Sequence, residues 1–292
     1  MKTSLGTILT AMVTPFAADL SLDLDGLEAL AEHLLCHGSD GVVVAGTTGE
    51  SPTLTDAEKE RMFRAVVEAV GGKGTVIAGS GSNDTAHSVH LTRAAERAGV
   101  DAVLLVTPYY NKPPAAGMLL HFRTVAAATH LPVIVYNIPS RCGVNLEPEL
   151  LAQLAETPNI VAVKQANPDL EQSRRVRELC DLGLYAGNDD MLFDVLRMGG
   201  WGGICVASHL VGERMREIAS LVRAGATEEA EVLTQELESL YAALFATTSP
   251  ILIKAAVSRL WRSVGGLRPP LVGATPEQEA ALTAELQRQG LL

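Results

Sequence analysis

The chain has 292 residues, 47% of them hydrophobic, which is enough apolar material for a sizeable core and excludes intrinsic disorder. Its 34 acidic side chains outnumber 23 Lys and Arg, and the net charge of −11 argues against a nucleic-acid partner. The four cysteines form no CxxC pair, so neither a zinc site nor a disulfide framework is indicated, and we expect a reducing, cytoplasmic location. No apolar run reaches the roughly 18 residues of a transmembrane helix.

The first 18 residues allow one competing interpretation. Met1-Lys2, a mildly apolar stretch from Leu5 to Val13 and the small pair Ala17-Ala18 crudely resemble a secretory signal. Three threonines dilute the apolar stretch, and Pro15 stands where a loop would need it. We therefore favour a cytoplasmic protein.

Short β-branched and apolar runs alternate with helical stretches along most of the chain. This alternation is typical of a parallel sheet that is covered on both faces. Between the second and third runs, Thr55 and Glu58 form the pattern of a capped helix start. Eight strands with helices between them predict a closed (β/α)8 TIM barrel. The predicted strands are Thr7–Val13, Gly41–Ala45, Thr75–Ala78, Ala102–Val106, Val133–Tyr136, Ile160–Lys164, Leu184–Ala186 and Gly203–Val206.

The last part of the chain has helical periodicity only. From about Val211 to Leu260 the pattern is helical throughout, and Thr275-Pro276 places proline at the first position of one more helix. We predict a barrel over residues 1–225 and a C-terminal helical region over residues 226–292.

The catalytic groups of such a barrel should follow the carboxyl ends of its strands. Lys164 closes the apolar run Ile160-Val161-Ala162-Val163, so its ammonium should be desolvated and its pKa lowered. A neutral amine is what a Schiff-base nucleophile toward a ketone or aldehyde requires. The competing interpretation is a lysine that is paired with a carboxylate such as Asp189 or Glu50, or that binds a phosphate.

Other polar groups are predicted at the same end of the barrel. Tyr136 ends the preceding strand and could transfer protons, although a phenol at a barrel rim is often only amphipathic. Thr47 and Thr48, between two glycines, could bind a carboxylate or form nothing more than a tight loop. Arg141 could bind a second carboxylate or lie in solvent. The coincidence of these groups favours an active site.

Other kinds of site lack sequence support. His33 and His37 are spaced i,i+4 on a predicted helix, but no HExxH pattern accompanies them, so we expect a solvated face and no metal. The stretch from Gly79 to Asp84 is an incomplete GxGxxG, and no Walker motif is present, so we expect no nucleotide cofactor.

The motifs GTTGES, TPYYN, YNxPxR and the strand that ends in Lys164, in this order, resemble the 4-hydroxy-tetrahydrodipicolinate synthase (dihydrodipicolinate synthase) family of pyruvate-dependent class I lyases. The resemblance runs from about Thr7 to the C-terminal helix. It implies a TIM barrel with a C-terminal helical region, a homotetramer, and condensation of pyruvate with L-aspartate 4-semialdehyde in diaminopimelate and lysine biosynthesis.

The resemblance also implies roles for individual residues. Lys164 would form the Schiff base with pyruvate. Tyr136, Thr47 and Tyr110 would relay protons, with Tyr110 reaching in from a neighbouring subunit. The substrates would be bound by Thr48 at the pyruvate carboxylate, by Arg141 at the semialdehyde carboxylate, and by the backbone at Gly187 and Ile204.

The chain departs from the family pattern at several positions. Gln165 and Asn188 replace acidic residues, and Gln165 removes a charge next to the nucleophile. Lysine-sensitive members carry His, His and Glu where this chain has Asp56, Lys59 and His87. Because a cationic Lys59 would repel the lysine ammonium, we predict no feedback inhibition.

Two alternatives to the synthase remain. One is a paralogous pyruvate-dependent aldolase, lyase or dehydratase acting on N-acetylneuraminate or a keto-deoxy sugar acid; Arg141 favours the synthase, because sugar-acid lyases need hydroxyl-binding side chains there. The other is a non-catalytic barrel that binds a small carboxylate, which has no need of a desolvated amine.

Overall fold

The computed structural model describes residues 4–292, in which eight parallel strands close into a barrel with each strand hydrogen-bonded to its sequence neighbours. β1 completes the closure by pairing with β8. The strands are β1 Ile8–Ala11, β2 Gly41–Val44, β3 Thr75–Gly79, β4 Ala102–Val106, β5 Val133–Asn137, β6 Ile160–Gln165, β7 Gly183–Ala186 and β8 Gly202–Cys205.

The predicted TIM barrel is confirmed. All eight expected strands are present, and each strand end lies within two residues of its predicted position. The apolar stretch that resembled a signal sequence forms β1, whose four residues are all buried. Met1-Lys2 of that interpretation lie outside the described residues.

Helices cover the outside of the barrel. The predicted Thr55 and Glu58 capping box is present at the start of α2. The helices are α1 Leu24–Cys36, α2 Asp56–Val70, α3 Thr85–Ala98, α4 Ala115–Ala126, α5 Pro139–Cys142, α6 Pro148–Ala155, α7 Leu170–Leu179, α8 Leu192–Arg197, α9 Ser208–Ala224, α10 Thr227–Leu244, α11 Ile251–Leu260 and α12 Pro276–Arg288.

Successive side chains of each strand point alternately into the barrel and out toward the helices, so the core has two layers. One set of side chains fills the barrel interior, and the other set packs against the helices. The interior is therefore a packed core that closes the bottom of any site at the strands' carboxyl ends. Its fully buried members include Leu9, Val43, Ile77, Ile134, Ala162, Tyr185 and Ile204.

The C-terminal region consists of α10, α11 and α12. The helical pattern expected from Val211 to Leu260 is present as α9, α10 and α11, with a short gap at Gly225-Ala226 and a longer break in which α10 ends at Leu244 and α11 begins at Ile251. Pro250 explains the break, since a proline disfavours helical backbone at the residue before it. The domain boundary between residues 225 and 226, which lies between α9 and α10, stays a prediction. Within residues 4–292, no helix combines the length and apolar character needed to cross a membrane.

Candidate active site at the carboxyl end of the barrel

Lys164 lies near the end of β6, where only 5% of the residue is exposed. Its register partners are Tyr136 on β5 and Tyr185 on β7. Burial lowers the pKa of its ammonium to about 8, although the charges of Cys205 and Asp189 act in the opposite direction. The amine therefore loses its proton far more readily than an ordinary lysine does.

Both carboxylates that could have paired with Lys164 have other partners. Asp189 accepts hydrogen bonds from the backbone N–H groups of Val206 (2.8 Å) and Ala207 (3.1 Å). Glu50 forms a buried ion pair with Lys254 at 2.8 Å. Within the described residues, the Lys164 amine forms no ion pair or hydrogen bond. This favours a nucleophilic lysine over a lysine that is paired with Asp189 or Glu50.

Tyr136 lies against this amine. The Lys164 Nζ is 4.3 Å from the centroid of the Tyr136 ring. Thr107 fixes the tyrosine backbone, since both its N–H (2.9 Å) and its hydroxyl (2.8 Å) donate to the Tyr136 carbonyl. Burial raises the pKa of the phenol to about 12, with smaller opposing effects from Arg141 and from a hydrogen bond with the Thr47 side chain. The phenol thus keeps its proton at neutral pH.

The loop after β2 presents the two threonines. Thr47 is half-buried and Thr48 is buried. The loop folds back on itself, because Glu50 N–H donates to the Thr47 carbonyl (3.1 Å) and Ser51 N–H donates to the Gly46 carbonyl (3.2 Å). From the loop after β1, the Thr14 hydroxyl donates to the Gly49 carbonyl at 2.6 Å. The threonine loop, residues 46–50, is therefore held at both ends.

A cleft of about 370 Å³ opens at this end of the barrel, and Thr47, Tyr136 and Arg141 all line it. Arg141, in α5, donates from Nη2 to the Ser249 carbonyl at 3.3 Å, which ties its exposed side chain to the segment before α11. Lys59 and His87 lie in the wall of the same cleft. The cleft thus combines hydroxyl, phenol and guanidinium groups, and the Lys164 amine, which is not itself a lining group, lies against Tyr136 in its wall.

Tyr110 does not enter this cleft. It is 89% exposed and has a φ of 70°, whereas the adjacent Tyr109 is half-buried and lines the cleft. A positive φ is uncommon for a tyrosine and persists only where the surroundings impose it. One chain therefore directs Tyr110 away from its own barrel.

Gly187 follows the end of β7, and Ile204 lies on β8. A Cβ at position 187 would lie 2.6 Å from the Ala166 Cβ and 2.8 Å from the Gln165 carbonyl, so only glycine lets β6 and β7 approach so closely. Ile204, on β8, is fully buried in the barrel interior, in the same apolar cluster as Tyr136. Neither residue is among those that line the cleft.

Gln165 points away from the cleft. Neighbouring residues of a strand face opposite sides, and Lys164 faces inward. The Gln165 Oε1 accepts from Asn137 Nδ2 (2.8 Å), which also donates to Asn145 Oδ1 (2.8 Å). Its own Nε2 has no hydrogen-bond partner among the described residues. The departure from the family pattern therefore lies in the layer outside the barrel.

Lys254 and Arg268 contact the threonine loop but were not predicted from the sequence. Lys254 binds the Glu50 carboxylate, and Arg268 N–H donates to the same carboxylate at 2.9 Å. Both residues are far along the chain from the loop they contact, and neither belongs to a motif, so no local signal indicated them.

Metal ligands do not cluster here. Among residues 4–292, no three or more His, Cys, Asp or Glu side chains are grouped so that they could hold a metal ion. His33 stacks on the Trp261 ring, with centroids 5.0 Å apart.

A desolvated amine beside a protonated phenol at the mouth of a (β/α)8 barrel defines the class of barrel enzymes that are equipped for Schiff-base chemistry. Comparison with known proteins narrows this class. The sequence profile of the dihydrodipicolinate synthetase family matches residues 4–289. The chain belongs to this family.

Several relatives are similar over their whole length. The 4-hydroxy-tetrahydrodipicolinate synthase of Moorella thermoacetica is 49% identical over 98% of this chain and 99% of its own. The synthase of Acidothermus cellulolyticus is 48% identical over 98% of this chain and 92% of its own. A crystal structure of the Cyanidioschyzon merolae enzyme with lysine bound has a TM-score of 0.97 at 43% identity, covering 99% of each chain.

Proposed function

We propose that this chain is a 4-hydroxy-tetrahydrodipicolinate synthase, which condenses pyruvate with L-aspartate 4-semialdehyde through a Schiff base on Lys164. One observation carries the proposal: the Lys164 amine is buried, has a pKa lowered to about 8, and lies 4.3 Å from the Tyr136 ring. The shared name of full-length relatives at 48–49% identity supports this substrate pair over sugar acids.

The reaction begins when the neutral Lys164 amine adds to the keto carbon of pyruvate. A proton reaches the former carbonyl oxygen, water leaves, and an imine forms. Loss of a methyl proton gives the enamine, whose carbon attacks the aldehyde of the semialdehyde. The semialdehyde amine then attacks the imine carbon, which closes the ring and releases Lys164. Because the imine serves as the electron sink, the reaction requires no cofactor.

Tyr136 and Thr47 are the proposed proton carriers. The phenol, with its pKa raised to about 12, is a donor at neutral pH and can pass protons through the adjacent Thr47 hydroxyl. Thr48 would hold the pyruvate carboxylate, together with the backbone at Gly187 and Ile204. Arg141, which lines the cleft, would hold the semialdehyde carboxylate through two parallel hydrogen bonds.

Tyr110 supports an assembly of more than one chain. An aromatic side chain that is 89% exposed and held at a positive φ is suited to reach into a neighbouring subunit. We infer a homotetramer in which Tyr110 completes the proton relay of the neighbouring site. The four free cysteines among the described residues agree with a reducing cytoplasm.

The first experiment is incubation with pyruvate and borohydride, followed by peptide mass spectrometry, because reduction makes an imine permanent. Labelling confined to Lys164 is expected, and the Lys164→Met variant is the matched control that should remain unlabelled. Absence of label on the wild type would overturn the Schiff-base mechanism.

Complementation of a diaminopimelate auxotroph tests the second substrate. Growth without diaminopimelate is expected from the wild-type gene and not from Lys164→Met. Labelling without complementation would instead favour a paralogous aldolase or lyase.

A further inference from the structure

We propose that Lys254, on the C-terminal helix α11, is a positioning residue that holds the threonine loop (residues 46–50) in the conformation that binds pyruvate. The inference rests on the proposed function, because it assigns pyruvate as the molecule that the loop binds. It gives the C-terminal region a direct part in substrate binding, through an ion pair that lies outside the cleft.

The Glu50 carboxylate is the point at which the C-terminal region holds the loop. Only 2% of Glu50 is exposed, and each carboxylate oxygen has one partner from the C-terminal region. Oε1 accepts from Lys254 Nζ at 2.8 Å, and Oε2 accepts from the Arg268 backbone N–H at 2.9 Å. A buried carboxylate with both oxygens engaged in this way has little freedom to move.

Lys254 is itself fixed on every side. It is 2% exposed, donates a second hydrogen bond to the Gly266 carbonyl at 2.5 Å, and has its Nζ 4.4 Å from the centroid of the Phe16 ring. Its surroundings therefore come from α11, from the segment after α11 and from the loop after β1. The ammonium is a rigid anchor, unlike a flexible surface lysine.

Because its side chain is anchored by Lys254, Glu50 also fixes the backbone conformation of the threonine loop. Glu50 has φ 57° and ψ 36°, the left-handed region that residues other than glycine adopt only when their surroundings impose it. From this position its N–H closes the turn onto the Thr47 carbonyl at 3.1 Å, and its carbonyl accepts from Thr53 N–H at 3.0 Å. The turn carries Thr47 and Thr48, so the position of Glu50 sets theirs.

Arg268 braces the residues that follow the loop. Its guanidinium donates to the Thr53 carbonyl (2.9 Å), to the Leu20 carbonyl (2.8 Å) and to the Glu58 carboxylate (2.6 Å). Loss of Lys254 would leave this brace intact but would leave the Glu50 carboxylate buried without a cation. The carboxylate would then move toward water, and the left-handed turn would open.

The test compares Lys254→Met with Arg259→Met, a control on the same helix. Arg259 is exposed and pairs with Glu279 at 3.6 Å, so its loss leaves Glu50 untouched. We expect Lys254→Met to raise both the pyruvate concentration for half-maximal borohydride labelling of Lys164 and the pyruvate KM by about ten- to a hundredfold. The KM for the semialdehyde should change much less, and Arg259→Met should match the wild type.

A second variant keeps the test decisive if Lys254→Met fails to fold. Glu50→Gln/Lys254→Met removes both charges and leaves no uncompensated ion in the interior. It should fold, yet its pyruvate requirement should stay above that of the wild type, because the anchor is gone.

Three results would overturn the assignment: a folded variant with the pyruvate requirement of the wild type, an equal rise in both KM values, or unfolding of both variants, which would mean a purely structural role. Failure of the proposed function is distinguishable, because the wild type itself would then carry no label at Lys164.

Discussion

Lys164 and Tyr136 are register partners on adjacent parallel strands, and this pairing places the amine 4.3 Å from the centroid of the phenol ring. Burial moves their pKa values in opposite directions, down to about 8 for Lys164 and up to about 12 for Tyr136. The same water-poor environment thus favours a neutral nucleophile and a protonated donor. Pairs of titratable groups separated in this way are typical of acid–base sites.

The first prediction concerns the pH dependence of imine formation. With a pKa of about 8, about a tenth of Lys164 is neutral at pH 7, whereas an unperturbed lysine would be neutral in less than about a thousandth of the molecules. We expect kcat/KM for pyruvate to rise with pH and to level off above about pH 8. Initial rates at saturating semialdehyde check this, and a rise that continues to pH 10 would contradict the lowered pKa.

The second prediction concerns the loss of folding stability that the buried Lys164 ammonium causes. Its pKa falls from 10.5 to about 8 on folding, which corresponds to about 3 kcal/mol of destabilisation at pH 7, where both states are charged. As the pH rises from 8 to 10.5, the folded state loses its proton first and the penalty disappears. Lys164→Met should therefore be more stable than the wild type near pH 7, and the difference should shrink toward pH 10.

Urea unfolding of both proteins at pH 7 and pH 10, at one protein concentration, measures this difference. Lys254→Met is the contrasting variant, because removing a lysine that pairs with a buried carboxylate should destabilise by about 3–5 kcal/mol. Equal stability of Lys164→Met and the wild type at both pH values would contradict the prediction.

The sequence was sufficient to predict the barrel because its signals are local. Each strand is a short, mainly apolar run that a helical stretch separates from the next, and closure follows from the count of eight. The sequence also predicts that Lys164 and Tyr136 are neighbours, because consecutive strands of such a barrel lie side by side. The ends of the strands were predicted less accurately than their existence. The apolar run at β1, for example, extends beyond Ile8–Ala11, the residues that form the strand.

Contacts between distant segments could not be predicted. The pair formed by Glu50 and Lys254 joins the second strand's loop to a helix of the C-terminal region, and neither residue's own neighbourhood indicates the other. Gln165 illustrates a second limit. Its position next to the nucleophile in sequence suggested an effect on the amine, but strand alternation directs its side chain to Asn137 outside the barrel.

The third prediction concerns Tyr110, which is exposed in the single chain. If it serves a neighbouring site, Tyr110→Phe and Lys164→Met should each be nearly inactive alone, yet hybrids should contain sites with both groups intact. Random pairing of equal amounts should restore about a quarter of wild-type activity. Co-refolding followed by an activity assay checks this. No recovery would mean that Tyr110 acts within its own chain, and full activity of Tyr110→Phe alone would mean that it has no part in the reaction.

The fourth prediction is the absence of lysine feedback. Lys59 is 7% exposed and lines the cleft, and Asp56 is already paired with His87 at 2.9 Å. A lysine ammonium entering this part of the cleft would meet a like charge and an occupied carboxylate. Activity should not change with millimolar L-lysine, and Lys59→Met should bind lysine more tightly than the wild type does. Half-inhibition of the wild type at submillimolar lysine would refute this.

The fifth prediction concerns acid stability and rests on His209. Its Nε2 accepts from the Val13 backbone N–H at 3.1 Å, and its Nδ1 donates to the Val206 carbonyl at 2.8 Å. This bridge between the loops after β1 and β8 requires the neutral ring, because a proton on Nε2 would face the Val13 N–H. Burial, the largest effect, lowers the pKa of the imidazole from 6.5 to about 4.

The lowered pKa fixes the direction of the pH effect. Above pH 6.5 the ring is neutral in both states and stability is unaffected, whereas between pH 6.5 and 4 only the unfolded chain takes up the proton. Stability should therefore fall by about 3 kcal/mol as the pH drops through this interval. His209→Gln should lose that part of the slope, and His130→Gln, which alters an exposed histidine, should keep it. Urea unfolding between pH 4 and 7 at fixed protein concentration distinguishes them, and parallel curves for all three proteins would contradict a buried neutral His209.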